Sequence, residues 1–208
     1  MVVQNFVIFE GGDGTGTSTQ LSLLQETFSS LQSPPSYHLC FEPSEGPIGT
    51  LVRSALKQEI ELCPQTIARL FAADRGEHLY SEHGIIARCK KGELVVCDRY
   101  VPSSLVYQGL ECGDALPSLL NSEFPYPELI IYFDLDPRIA VKRFADRKVK
   151  DVYEHLDFQL KVQERYEALL PKYLEGGSQL IRLDASQSVE EVAQEVWRAL
   201  CTLPILKG

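Results

Sequence analysis

Short apolar runs alternate along the chain with longer segments of helical periodicity. The runs are rich in β-branched and aromatic residues and predict five strands, at residues 5–9, 37–41, 94–97, 129–134 and 179–183. The third and fourth runs are almost continuously apolar, as expected of parallel strands that are buried on both faces. Strands that alternate with helices predict an α/β fold, in which helices cover both faces of a parallel sheet.

The helical segments have recognisable boundaries. Apolar residues at helical spacing between Leu21 and Leu31 predict one helix, which the proline pair at 34–35 ends. Ser188 and Glu191 form a capping-box pattern ahead of an apolar stripe, which predicts the start of the last helix. With 208 residues, no internal repeat and no linker, the chain is expected to form one domain over residues 1–208.

The acidic composition limits the ligands that the chain can hold. Its formal net charge is -9, which argues against binding to nucleic acid or to anionic membrane surfaces. Any anionic ligand must therefore be held by a local cluster of cations. The six cysteines have neither C-x-x-C nor zinc-ligand spacing, so we expect reduced thiols and a cytoplasmic protein. We also expect neither a signal peptide nor a membrane span.

A glycine-rich segment follows the first predicted strand and precedes a helix. Gly11 and Gly16 have the spacing of the G-x-x-x-x-G-K-[ST] phosphate-binding loop, and Ser18 supplies its hydroxyl for Mg²⁺. Glycines allow backbone N–H groups to converge on phosphate oxygens at the helix N-terminus. The alternative is a glycine-rich turn without a ligand. The predicted loop, residues 11–19, binds ATP through Gly11, Gly12, Gly14, Thr15, Gly16, Thr17, Ser18 and Thr19.

Thr17 stands where this loop pattern has lysine. The lysine contributes a point charge to the β- and γ-phosphates, whereas a hydroxyl donates a hydrogen bond without neutralising charge. Removal of a comparable electrostatic donor costs about 10²- to 10³-fold in kcat. The loop is therefore expected to bind phosphate, but with a weakened catalytic contribution.

Five segments in order carry a family resemblance: FEGGDGTGTSTQ, FEPSEGPIG, FAADRGEH, CDRYVPSSLVYQG and RLDASQSVEEV. Together they resemble the thymidylate kinases over essentially the whole chain, and the D-R-Y-x-x-S-S-x-x-Y-Q-G run is the most specific piece. The resemblance implies the nucleoside monophosphate kinase fold, with three layers, a five-stranded parallel sheet and a short lid. It also implies phosphoryl transfer from ATP to dTMP with Mg²⁺, and a homodimer.

The resemblance assigns roles to individual residues. Arg99, Asp98 and Arg147 are the implied catalytic residues, and Ser18 and Asp98 the implied magnesium ligands. The implied dTMP-binding residues are Asp13, Glu42, Pro43, Arg53, Phe71, Arg75, Arg99, Ser104, Tyr107, Gln108 and Tyr153. A simpler interpretation stays open for three of these residues. Asp98 also suits a helix N-cap that pairs with Arg99, Asp13 also suits a turn, and Phe71 also suits a position in the core.

The lid is predicted at residues 143–154, where it is shorter than in the family pattern and lacks a second expected cation at Val152. Arg147 or Lys150 is predicted to supply the charge that is missing at Thr17 and Val152, although a solvated basic loop is the alternative.

Two other functions stay open. One is a kinase for another monophosphate such as dUMP or dGMP, and the other is a nucleotide-binding protein that has lost catalysis.

Overall fold

The computed structural model describes residues 1–145 and 155–207. Five parallel strands form one sheet with the spatial order β2-β3-β1-β4-β5. The strands are β1 (Val2–Gly11), β2 (Tyr37–Phe41), β3 (Leu94–Asp98), β4 (Tyr126–Asp134) and β5 (Gln179–Asp184). The expected five-stranded parallel α/β architecture is therefore confirmed.

Helices connect successive strands and cover both faces of the sheet. They are α1 (Thr17–Ser30), α2 (Pro47–Leu56), α3 (Pro64–Tyr80), α4 (Ile85–Lys90), α5 (Val101–Cys112), α6 (Ala115–Asn121), α7 (Pro137–Ala145), α8 (Leu156–Glu175) and α9 (Val189–Leu200). Ser188 and Glu191 form the predicted capping box at the start of α9. Within the described residues, no helix combines the length and apolarity needed to cross a bilayer.

The strands divide the core into two halves, because successive side chains point to opposite faces. On β1, Phe6 and Ile8 pack with α3, α4, α5 and α8, whereas Val7 and Phe9 pack with α1, α7 and α9. All four side chains are fully buried. Because all strands are parallel, their carboxyl ends lie along one edge. The glycine-rich loop after β1, Glu42 after β2 and Asp98 at the end of β3 all lie there.

Two strands begin earlier than the apolar runs predict. β1 has an irregular register between Val3 and Val7, and Asn5 there has a φ of 62°, a conformation that asparagine tolerates better than most residues. The Asn5 N–H donates to Glu128 at 2.5 Å, so a side chain completes the broken ladder. β4 begins at Tyr126, before Pro127, which is compatible with a strand only near its end.

The layer between α1 and α9 depends on Phe28. Its buried ring stacks on Tyr37 at 4.3 Å and meets the edge of Trp197 at 5.9 Å between centroids.

We predict that Phe28→Ala lowers the free energy of unfolding by about 3–5 kcal/mol, because it leaves a cavity at a packed site. Urea unfolding followed by the fluorescence of Trp197, the single tryptophan, measures this loss. Phe28→Leu is the control and should lose less, and equal losses would contradict the ring's role.

Candidate functional site

The loop between β1 and α1 is built around glycines with unusual backbone geometry. Gly14 and Gly16 have φ values of 78° and 96°, which favour glycine over other residues. A Cβ on Gly11 would lie 2.9 Å from the Phe133 carbonyl oxygen, so the loop approaches β4 too closely for a side chain. The Thr15 hydroxyl donates to the Gly12 carbonyl at 2.8 Å. The glycines predicted from the sequence thus shape a loop that ends at the N-terminus of α1.

Thr17 is the first residue of α1 and is buried, while Ser18 and Thr19 are exposed. The Ser18 hydroxyl donates to Asp98 Oδ2 at 2.7 Å. Asp98 Oδ1 is buried and accepts no hydrogen bond from any described residue. A buried carboxylate oxygen without a partner is costly unless a cation or water satisfies it. The two oxygen-bearing side chains therefore fit the preference of Mg²⁺ for oxygen ligands.

Asp98 is not the N-cap of α5, which was the simpler reading of this residue. Tyr100 occupies that position, and Asp98 ends β3 with its carboxylate toward Ser18. Arg99 pairs instead with Asp13, with Nη2 2.5 Å from Oδ1. The backbone of Arg99 has a φ of 71°, and its N–H donates to the Phe9 carbonyl at 2.9 Å.

A cavity of about 300 Å³ opens beside the glycine-rich loop. Ten of the eleven residues predicted to bind dTMP line it: Asp13, Glu42, Pro43, Arg53, Phe71, Arg75, Arg99, Ser104, Tyr107 and Gln108. The eleventh, Tyr153, lies outside the described residues. Because α2, α3, α5 and three loops each contribute to the lining, the fold brings together residues that are far apart in the sequence.

Arg75 is the most buried cation of this cavity, with 1% of its surface exposed. Its Nε donates to Glu42 Oε2 at 2.8 Å and its Nη2 to Ser104 at 2.9 Å, while its Nη1 donates to Asn121. The guanidinium also lies over the ring of Tyr100, with its carbon 5.4 Å from the centroid. These contacts fix the orientation of the charge before any ligand arrives.

Two more arginines are held at the cavity, one by backbone carbonyls and the other by a hydroxyl and an aromatic ring. Arg53 Nη1 donates to the carbonyls of Pro43 and Ser44, at 2.7 Å and 2.6 Å. Arg99 Nη1 donates to the Ser103 hydroxyl at 3.1 Å, and its guanidinium carbon lies 5.2 Å from the centre of the Tyr107 ring. The chain thus concentrates three guanidinium groups in one cavity.

The part of the cavity away from the loop is suited to a flat polar ring. Phe71 is only partly buried and faces the cavity rather than being enclosed in the core. Gln108 is buried, and its Oε1 accepts no hydrogen bond within the described part of the chain. An amide oxygen in that state favours a ligand with an N–H donor, such as the edge of a base.

Glu10 is a site-supporting residue that the sequence reasoning missed. It is fully buried at the end of β1 and accepts hydrogen bonds of 2.8 Å from Tyr100 N–H, Ser103 and Tyr166. Burial raises its pKa to about 7, although these hydrogen bonds favour the charged form. Its sequence signal was a carboxylate inside an apolar run, directly before the glycines.

Gln159 and Arg143 were also missed. Gln159 Nε2 donates to Asp13 Oδ2 at 3.0 Å, which holds the aspartate from the side opposite Arg99. Arg143 donates to the carbonyls of Gly14 and Ala185, each at 3.0 Å, and so connects α7 with the glycine-rich loop. Of the predicted lid, residues 146–154 lie outside the described residues, and these include Arg147 and Lys150.

Comparisons with known proteins agree with this geometry. Residues 9–196 match the family model described as thymidylate kinase. The chain is 40% identical to a putative thymidylate kinase of Treponema pallidum over 198 residues, which cover 94% of each chain. It is 40% identical to a probable thymidylate kinase of Pyrobaculum aerophilum over 192 residues, covering 92% of this chain and 93% of the relative.

The fold has a counterpart among solved structures. Thymidylate kinase from Candida albicans matches with a TM-score of 0.73 at 24% identity, over 94% of this chain and 90% of the other. At that identity the likeness concerns the fold. It agrees with the parallel five-stranded sheet described above.

Glu10 generates a prediction about pH. Its pKa rises from 4.5 to about 7 on folding, so the folded chain holds a proton that the unfolded chain releases. This contribution to stability is complete below pH 4.5 and is lost as the pH rises through about 7. It amounts to about 3 kcal/mol.

We predict that Glu10→Gln removes this part of the pH dependence, measured as urea midpoints from pH 5 to 8. The exposed Glu26→Gln is the control, and an unchanged slope in Glu10→Gln would contradict the assignment.

Proposed function

This chain belongs to the thymidylate kinase family and catalyses the ATP-dependent phosphorylation of dTMP to dTDP, and we propose how its residues divide that task. The cavity beside the glycine-rich loop receives dTMP, and the loop at the N-terminus of α1 receives the phosphates of ATP. The observation that carries this proposal is the single cavity lined by ten predicted acceptor residues, next to a phosphate-binding loop.

The acceptor is already a phosphate dianion, so the site needs no general base. Its task is to bring two polyanions together in line and to stabilise the charge that they share. Arg53, Arg75 and Arg99 take this role, because a guanidinium stays charged and binds phosphate through two parallel hydrogen bonds. Support comes from their common cavity and from the partners that hold each one in place.

The base of dTMP lies against Phe71, with Gln108 pairing with its exposed edge. An amide presents both a donor and an acceptor, which matches the N–H and carbonyl of thymine. Asp13 takes the 3′-hydroxyl of the deoxyribose. This role fits a carboxylate that Arg99 and Gln159 hold at the rim of the cavity.

Ser18 and Asp98 would hold Mg²⁺, which when bound supplies positive charge to the phosphates of ATP. The support is the 2.7 Å contact between the two side chains and the unpartnered Oδ1 of Asp98. Asp98 ends β3 and directly precedes Arg99, so adjacent residues serve the proposed metal site and the cavity.

The donor side lacks the lysine charge at Thr17, and Arg147 is proposed to replace it when ATP is bound. Arg143 supports the loop from α7 through its bond to the Gly14 carbonyl. A nucleotide-binding protein without catalysis is the second candidate function, and the observation that favours it is Thr17 itself. Kinetics of this chain and its lysine variant separate the two.

We further propose a cytoplasmic homodimer. All six cysteines are free thiols, as is usual for proteins of a reducing compartment. Exposed apolar side chains lie on helices that flank the sheet, at Leu51 on α2, Tyr80 on α3 and Leu119 on α6. Sedimentation velocity on the intact chain tests the oligomeric state.

We predict that Gln108→Met lowers kcat/KM for dTMP by about 10- to 100-fold, because a buried polar edge of the base then loses its partner. The side chains have similar volumes, so packing is largely kept. Steady-state kinetics with varied dTMP measure the effect, and the KM for ATP in the same variant is the internal control. A matched rise in both KM values would contradict a role limited to the base.

A cycle of four proteins tests the proposed charge replacement: the natural chain, Thr17→Lys, Arg147→Ala and the double variant. We expect measurable turnover of dTMP by the natural chain, and a fall in kcat of about 10²-fold in Arg147→Ala. The fall should be much smaller when Lys replaces Thr17, because the lysine then supplies the charge.

Lys148→Ala is the matched control for this cycle and should leave kcat nearly unchanged. Equal effects of Arg147→Ala with and without the lysine would show that the two positions are independent. Absence of turnover in the natural chain and in Thr17→Lys alike would favour the binding protein.

A further inference from the structure

Three metal-ligating side chains meet between β2, β3 and α3, on the face of the sheet that α3 covers. Cys40 and Cys97 are register partners on neighbouring parallel strands, and His78 reaches them from α3. The ligand atoms of the three side chains all lie within 4.8 Å of one another. The sequence gives no hint of this group, because its members are separated by 38 and 19 positions and follow no C-x-x-C spacing.

We propose that Cys40, His78 and Cys97 form a binding site for a thiophilic divalent cation of the zinc class. Two thiolates and an imidazole are the ligands that zinc prefers over magnesium or calcium. Bonds of about 2.3 Å in a tetrahedral site place neighbouring ligand atoms about 3.7 Å apart. The group therefore needs to contract by about 1 Å at most, which side-chain rotation supplies.

A carboxylate stands beside the group, outside the set of ligand atoms that lie within 4.8 Å of one another. Glu42 Oε1 lies 3.6 Å from His78 Nδ1, and both atoms are buried without a hydrogen bond inside the described ranges 1–145 and 155–207. The Glu42 side chain is 2% exposed. The two atoms are close enough for an ion pair but not for a hydrogen bond, and buried polar atoms without a hydrogen bond are costly. A cation coordinated by His78 satisfies the nitrogen and faces the Glu42 carboxylate, whose negative charge it offsets.

The two thiols make only weak hydrogen bonds, which metal coordination can replace. The Cys97 thiol donates to the Arg99 carbonyl at 3.2 Å, and the Cys40 thiol donates to the Val96 carbonyl at 3.8 Å. Thiols are weak donors, and a bound cation replaces the proton of each. The His78 side chain is 14% exposed, so the group is not sealed from solvent.

This site is separate from the phosphate chemistry but adjacent to it. None of its three main ligands lines the acceptor cavity, whereas Glu42 does, and its Oε2 holds Arg75. A cation at this site ties α3 to the two strands and fixes Glu42 from the side opposite Arg75. We therefore expect it to stabilise the fold around the cavity. The proposal does not rest on the proposed kinase mechanism.

Titration of this chain with Co²⁺ tests the proposal, after chelation and in the presence of a non-thiol reductant. We expect one equivalent to give the intense visible bands of tetrahedral cobalt together with a thiolate-to-cobalt charge-transfer band. Zn²⁺ should abolish both bands and raise the Tm. Cys97→Ser and His78→Gln should each lose the tetrahedral spectrum and the Tm shift. Cys89→Ser, which removes a buried thiol outside the group, is the matched control and should keep both.

Three results would overturn the proposal. The first is a folded wild-type protein without a thiolate band, including one that binds cobalt only with the pale spectrum of oxygen ligands, as expected at Ser18 and Asp98. The second is an unchanged spectrum in His78→Gln, which decides the matter even if Cys97→Ser fails to fold. The third is a Cys40–Cys97 disulfide found by mass spectrometry in protein that binds no cobalt after reduction.

Discussion

The acceptor cavity depends on the buried ion pair between Arg75 and Glu42. A guanidinium taken out of water is tolerated only when its hydrogen bonds are satisfied, and each nitrogen of Arg75 has a partner on a different part of the chain. Removing either member leaves an uncompensated buried charge. Folding therefore carries the cost of desolvating this cation, so its charge is already oriented at the cavity wall before any ligand binds.

The acidic chain makes this local arrangement necessary. With a net charge of -9, long-range attraction does not favour anionic substrates, so the cations must be concentrated where the phosphates meet. Arg53, Arg75 and Arg99 share one cavity, and carboxylates or carbonyl oxygens hold each of them. Burial also affects the carboxylate of Glu10, which lies below the loop. Because burial disfavours the charged form, the pKa of Glu10 is raised and the group keeps its proton more readily.

Local patterns predicted the strands, the glycine-rich loop and the last helix cap, because each depends on residues that are near neighbours in the sequence. The bounds of β1 were less accessible, since its first half depends on a hydrogen bond from Asn5 to Glu128. The acceptor residues came from the family resemblance, and the structure brings ten of them to one cavity. Glu10, Gln159 and the Cys40–His78–Cys97 group went unrecognised, because their partners come from distant elements that no local spacing connects.

The division of the core by the sheet also separates the two substrate sites that we propose. The donor loop leads into α1, which packs on one face with α7 and α9, whereas the acceptor cavity is lined largely by α3 and α5, which pack on the other. The two sites meet at the carboxyl edge of the strands, where Ser18 contacts Asp98 and Arg99 pairs with Asp13. Substitutions that accumulate on the α3 and α5 side of the sheet can therefore reshape the cavity while the packing of α1 on the other side is inherited intact.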